Sequence, residues 1–329
     1  MPVPAVPADN PMSAEKAELG RRLFYDPRLS IDEEMSCATC HQQARAFSDG
    51  KPRGVGTTGE LHPRGPMSLT NVAYAPRLAW ANPQLNTLEV QAMLPLFGEE
   101  PVEMGMSGQE DLLISRLEAD QRYPGWFDGV WPGEQITVAH IVQAIATFQR
   151  TLISTASPYD AWTAGDRTAL TVEQKHGMTL FFSERLECFH CHGGANFTDT
   201  MTHAGMAVEE VGFHNTGLYN TDGAGAYPED NAGTFEVTGD PVDMGRFKAP
   251  TLRNIAVTAP YMHDGSIASL EAVLEHYAQG GRAPASPLRS EFVVGFVLSD
   301  SERDDVIAFL GALTDPAFLA DPRHADPWK

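Results

Sequence analysis

The chain has 329 residues, enough for one large or two ordinary domains with a sizeable core. Its 44 acidic residues against 23 basic ones leave a formal charge of −21, which argues against nucleic acid or an anionic membrane surface as a partner. With 42% hydrophobic residues and no apolar run of transmembrane length, no membrane span is expected.

The opening Met1-Pro2-Val3-Pro4-Ala5-Val6-Pro7 has neither a charged n-region nor an apolar h-region and reads as the start of a mature or recombinant chain. From Ser13 to Tyr25 an amphipathic helix is expected, with Ser13 as N-cap and Leu19, Leu23 and Phe24 on one face. It leads through Asp26-Pro27 to Cys37-Ala38-Thr39-Cys40-His41. Further helices are expected at Leu85–Leu96, Gln109–Ala119 and Val138–Ile153, and Ser154 to Asp166 reads as a connection. Thr171 to Ser183 then repeats the opening pattern, with Thr171 and Gln174 forming a capping box. Aligning Gly20 with Gly177 pairs Leu23 with Leu180 and Phe24 with Phe181, and the second helix also leads to a cysteine motif, Cys188-Phe189-His190-Cys191-His192. Residues 193–245 are rich in Gly, Asn, Thr and Asp and read as irregular. Helices resume near Ser269–Gln279 and Ser301–Leu313, and residues 314–329 read as a Pro-punctuated tail.

The two cysteine motifs share the form Cys-x-x-Cys-His, the attachment signature of a c-type haem. Two thiols spaced this way reach the two vinyl groups of one porphyrin, and the next imidazole falls beneath the iron. A zinc site would want paired cysteines about 15–20 residues apart, whereas Cys40 and Cys188 lie in opposite halves of the chain. A redox Cys-x-x-Cys does not call for the following histidine. The motifs consume all four cysteines. We therefore expect two covalent haems, held by Cys37, Cys40 and His41 and by Cys188, Cys191 and His192. The fold class that follows is mainly α: two cytochrome c-like haem domains with long irregular loops, residues 10–155 and 166–313, then the tail 314–329. A haem also accounts for so long a loop as 193–245, because loops can pack on the macrocycle. Covalent haem c is assembled outside the cytoplasm, so a periplasmic location is expected.

Several stretches together resemble the bacterial dihaem cytochrome c peroxidase and MauG superfamily. They are AEKAELGRRLFYDPRLS, SCATCH, FSDGKPRGVGTTGELHPRG, PLFGEEPVEMG and APTLRNIAVTAPYMHDGS. Within it, GELHPRGPMSLTNVAY and Ala79-Trp80-Ala81-Asn82 look most similar to the MbnH-like branch. The resemblance implies that the His41 haem reacts with hydrogen peroxide and the His192 haem stores electrons. It implies that Glu103 is a distal carboxyl that moves a proton during O–O cleavage, that Gln91 is a distal amide orienting the peroxide, and that Trp80 is an indole relay between the haems. His62 lies in the loop where such peroxidases place a distal histidine. Its spacing to Ser68-Leu69-Thr70 is shorter than expected for that ligand, and a surface histidine is the alternative reading, so it is left outside the expected site. A calcium ion between the haems is a further implication, with no ligands assigned.

The chain departs from the peroxidase pattern at Ala259-Pro260-Tyr261, where those enzymes carry an iron-ligating methionine two residues before the tyrosine. Tyr261 is then the expected sixth ligand of the second haem, with Met262, His263, Met201, Met206 and Met244 as competitors. A thioether favours ferrous iron at high potential, whereas a phenolate favours ferric and higher states. The expected function is a MauG/MbnH-like oxidase that uses hydrogen peroxide to form two Fe(IV) centres and oxidises a residue, a tryptophan, of a partner protein. The rivals are a dihaem cytochrome c peroxidase taking electrons from a small donor protein, and a non-catalytic dihaem electron carrier.

Overall fold

Two pairs of crossing helices organise the chain, and a glycine makes each crossing possible. In the computed structural model, which describes residues 1–329, the Ala14–Phe24 helix crosses the Val138–Gln149 helix. Its start is fixed at Ser13, whose Oγ accepts from the Lys16 N–H at 3.1 Å. A Cβ on Gly20 would sit 1.8 Å from the Ala144 carbonyl oxygen. The Val172–Phe181 helix crosses Asp300–Gly311 in the same manner, and a Cβ on Gly177 would sit 1.9 Å from the Asp305 carbonyl oxygen. Only a residue without a side chain permits such backbone approach. The expected capping box closes the second helix: Thr171 N–H donates to Gln174 Oε1 at 3.0 Å, and Gln174 N–H donates to Thr171 Oγ1 at 3.2 Å. Leu23 with Phe24, and Leu180 with Phe181, are buried as the alignment of the two helices requires.

The repeat extends beyond the helices. Asn71 and Asn254 both adopt left-handed backbone, φ 57° and 62°, and each opens a short helical turn, Val72–Tyr74 and Ile255–Val257. Asn71 N–H donates to the Leu152 carbonyl at 2.9 Å and Asn254 N–H to the Leu313 carbonyl at 3.0 Å. Each Oδ1 then accepts from the backbone two residues further on: Ser154 N–H to Asn71 at 2.8 Å, and Asp315 N–H to Asn254 at 2.7 Å. Asparagine suits this role because its short amide tolerates φ > 0 and bonds backbone groups locally. Each asparagine thus ties the end of its own crossing helix to the loop that carries Trp80 in one half and Tyr261 in the other.

Two separate buried clusters result. One gathers Leu23, Phe24, Phe47, Ile145 and Phe148, and the other Phe181, Phe197, Ile267, Phe309 and Leu310. The chain is mainly helical, and its one sheet is the antiparallel pairing of Phe213–His214 with Phe247–Lys248. Residues 193–245 are otherwise irregular, with short turns such as Phe235–Thr238. The Leu88–Phe97 helix starts three residues later than expected, at Thr87, whose Oγ1 accepts from Val90 N–H at 3.3 Å. A helix at Tyr123–Val130 was not expected because its YPGWFDGV contains proline and two glycines. The proline lies in the first turn, where its missing N–H costs nothing. Within the 154–166 connection, Pro158–Thr163 is helical.

Residues 315–329 fold back across the other half of the molecule. Asp315 accepts from Ser154 Oγ and from the N–H groups of Thr155 and Ala156 at 2.9–3.1 Å. Beyond it, Phe318 enters the first cluster, Tyr25 Oη donates to the His324 carbonyl at 2.7 Å, and Trp328 Nε1 donates to the Arg22 carbonyl at 3.2 Å.

Candidate haem centres

The Cys37–Cys40 and Cys188–His192 segments are single helical turns, which place each cysteine pair on one side with the histidine following. His41 Nδ1 lies 2.7 Å from the Phe47 carbonyl oxygen, and His192 Nδ1 lies 3.2 Å from that of Phe197. A carbonyl only accepts, so Nδ1 carries the proton in both rings and Nε2 is bare. This is the outer-shell arrangement that orients a metal-binding imidazole and raises its basicity. Burial also holds both imidazoles below their usual pKa, in the neutral form that binds metals. Both phenylalanines sit at positive φ, 61° and 52°, a conformation costly for a bulky residue. Their fully buried rings hold it in place. Burial pushes the Cys37 and Cys188 thiols up to about 12.

On one side of His41 opens a cavity of about 440 Å³ whose wall includes Cys37, Cys40, Gln91 and Glu103. Glu103 is held in a turn by Thr57 N–H, which donates to its carbonyl at 2.8 Å. Burial pushes its carboxyl up to about 7. His62, left outside the expected site, lines the same cavity. The turn-rich GVGTTGE segment doubles back, so that His62 N–H donates to the Gly54 carbonyl at 2.8 Å, and Val55 pairs with Leu61. That turn composition was the available signal for its place beside the cavity. Arg64 N–H donates to His62 Nδ1 at 3.1 Å, and His62 Nε2 lies 4.0 Å from Glu103 Oε1. Burial and the neighbouring Arg64 keep His62 neutral, so Nε2 carries its proton on the side of Glu103.

The second cavity, about 180 Å³, is lined by Cys188, Cys191, His192 and a largely apolar wall that includes both Tyr261 and Met262. Tyr261 is buried, its hydroxyl donates to the Ile255 carbonyl at 3.2 Å, and burial pushes it up to about 12. Among the competing ligands, His263 lies in this wall with its ring stacked on Phe247 at 3.6 Å, whereas Met201, Met206 and Met244 do not line it. A third, smaller cavity of about 120 Å³ lies between the halves. Trp80 lines all three, and its Nε1 donates to the Gly65 carbonyl at 2.9 Å.

Each half thus offers two thiols, a bare Nε2 on an oriented neutral imidazole and a cavity beside them, a donor set that fits a covalently attached haem. The fold and the paired sites define a dihaem c-type cytochrome. The sequence model of the di-haem cytochrome c peroxidase family matches residues 14–168. The methylamine utilization protein MauG of Methylorubrum extorquens is 36% identical over 96% of this chain and 83% of its own. Cytochrome-c peroxidase IdrP1 of a Pseudomonas species is 35% identical over 99% of this chain and 86% of its own. The chain therefore belongs to the di-haem cytochrome c peroxidase and MauG family, carries two haems c, and is a haem-dependent oxidoreductase. Among solved structures, a MauG-like protein associated with microbial copper homeostasis superposes with a TM-score of 0.98 at 47% identity, covering 100% of this chain and 97% of the other. The diheme peroxidase BthA of Burkholderia thailandensis, 21% identical with a TM-score of 0.73, shares the fold. No helix is long and apolar enough to cross a membrane.

Proposed function

We propose that the protein is a MauG-like oxidase that uses hydrogen peroxide to oxidise a residue, a tryptophan, of a partner protein in the periplasm. Residues 10–155 and 166–313 form two haem domains, with Cys37, Cys40 and His41 holding one haem and Cys188, Cys191 and His192 the other. When bound, the haems supply peroxide activation at the first iron and storage of oxidising equivalents at the second.

The chain's own residues divide the remaining work. Glu103, with a pKa near 7, takes a proton from incoming peroxide and returns it to the departing oxygen. His62 Nε2–H, 4.0 Å away, is within one water of that carboxyl and can hold such a water against it by a hydrogen bond. Gln91 offers a neutral donor and acceptor in the same wall. Trp80 is the oxidisable side chain common to the cavities of both haems.

The observation that carries this reading is Tyr261, buried in the wall beside His192 in a segment where Ala259 removes the peroxidase thioether. Burial opposes phenolate formation, so Tyr261 would ionise at neutral pH only against a cation, which the ferric iron of the second haem would supply. A His/Tyr centre is a poor acceptor for electrons from a small cytochrome and a good store of oxidising power.

The test is to add one equivalent of hydrogen peroxide to the diferric protein and follow the near-infrared spectrum. A charge-resonance band between the haems, unquenched by a small donor cytochrome, is expected. Rapid peroxide turnover with the donor and no such band would replace this reading by the peroxidase one. No reaction with peroxide would leave only the electron carrier.

A further inference from the structure

Lys248 is 7% exposed, yet it has no acidic partner. Its Nζ makes one hydrogen bond, to the Arg77 carbonyl at 2.8 Å, which leaves two of three ammonium protons unmatched. Desolvation alone lowers its pKa, to about 8, with no carboxylate near enough to offset it. A buried cation without a counterion is costly, and such a group either gives up its proton or is held charged by an anion. The chain is rich in carboxylates, at 44 acidic residues, and still places none here. The missing anion therefore comes from outside the polypeptide.

The position of Lys248 identifies that anion. It lines the cavity beside His192 and the smaller cavity between the halves, and it does not line the cavity beside His41. The same wall exposes a second unmatched atom, Nε2 of the buried His263. Cys188 and Cys191 take the vinyl edge of a porphyrin, and its two carboxylates leave from the far edge. We propose that Lys248 binds a propionate of the second haem, on the porphyrin edge that faces Trp80.

One residue then serves both partners, because the Lys248 N–H donates to the Trp80 carbonyl at 2.8 Å while its ammonium neutralises the haem edge. The added cation favours the reduced iron, so Lys248 raises the potential of the second haem relative to the same haem without it. The proposal requires only that the second haem is present and does not depend on which substrate the enzyme oxidises.

The test uses the dihaem holoprotein and no peroxide. In Lys248→Met, spectroelectrochemical titration is expected to show the second-haem potential shifted negative with the first unchanged. Resonance Raman is expected to show one propionate bending mode of that haem displaced. Lys248→Arg keeps the charge and is expected to shift the potential less. An unchanged second-haem potential and propionate mode in Lys248→Met at full haem content would overturn the proposal. So would equal shifts in both haems, or a Lys248→Arg shift as large as that of Lys248→Met. If Lys248→Met fails to retain the second haem, the Arg variant decides: a retained haem with its propionate mode at the wild-type position supports the contact, and a displaced mode overturns it.

Discussion

The two halves of the molecule are built on one plan and finished differently. Both have a glycine-mediated helix crossing, an imidazole held by a phenylalanine carbonyl, and an asparagine at positive φ that ties a loop to the crossing helix. What differs is the wall opposite the imidazole. Beside His41 it carries a carboxyl, an imidazole and an amide around about 440 Å³, and beside His192 it is largely apolar, holds a phenol and a thioether, and encloses about 180 Å³. The shared frame makes a haem site, and the linings of the two cavities differ in their room and their polar groups.

The strongest way to break this comparison is to make the two walls equally inert. Glu103→Gln is expected to slow the reaction with peroxide by roughly 10²–10⁴-fold, the usual contribution of a positioned acid–base group. Stopped-flow absorption would follow it, with the absorption of the His192 haem unaltered. Because Glu103 is the base only when ionised, and its pKa is raised to about 7, the wild-type rate should climb as pH rises through 7. The variant's profile should be flat there.

Next in size is Tyr261→Phe, expected to abolish the near-infrared band and alter the ligation of one haem only in electron paramagnetic resonance. If that spectrum is unaltered and Met262→Leu alters it instead, the thioether is the ligand. The shared frame can be tested by Asn71→Ala and Asn254→Ala. Each should destabilise the protein by about 1–3 kcal/mol through buried polar groups left unpaired, read from denaturant midpoints. A large inequality between the two would mean that the halves are less alike than their geometry. The smallest effects are expected at the caps: Ser13→Ala and Thr171→Ala should each cost about 1 kcal/mol, with the reciprocal cap at Thr171 the more sensitive.

What was legible in the sequence was mostly local. Cys-x-x-Cys-His carries its chemistry in five adjacent residues, and Thr171 with Gln174 signals a helix start within four. The alignment of Gly20 with Gly177 was legible because each lies in a regular helical pattern. The place of His62 is not local either: a hairpin returns it beside Glu103, a relation that spacing to Ser68 does not carry. The asparagine pair was missed for a similar reason. Asn71 finds its partner at Ser154 and Asn254 at Asp315, and no local pattern connects residues so far apart. Residues 315–329 have the proline-rich text of a tail, and only the receiving surface of Phe47, Tyr25 and Arg22 makes them part of the first half.

That return has a consequence for the order in which the protein can be assembled. The Phe47 ring, whose carbonyl orients His41, rests against Phe318 at 5.7 Å and His324 at 6.5 Å. Chains are made from the N-terminus, and domains ordinarily fold in that order. Here the first half lacks part of its own wall until Phe318 and His324 are in place. A chain cut before Phe318 would carry both attachment motifs and still leave the first imidazole's support open to water. Residues 315–329 thereby couple completion of the first haem site to the presence of the second half.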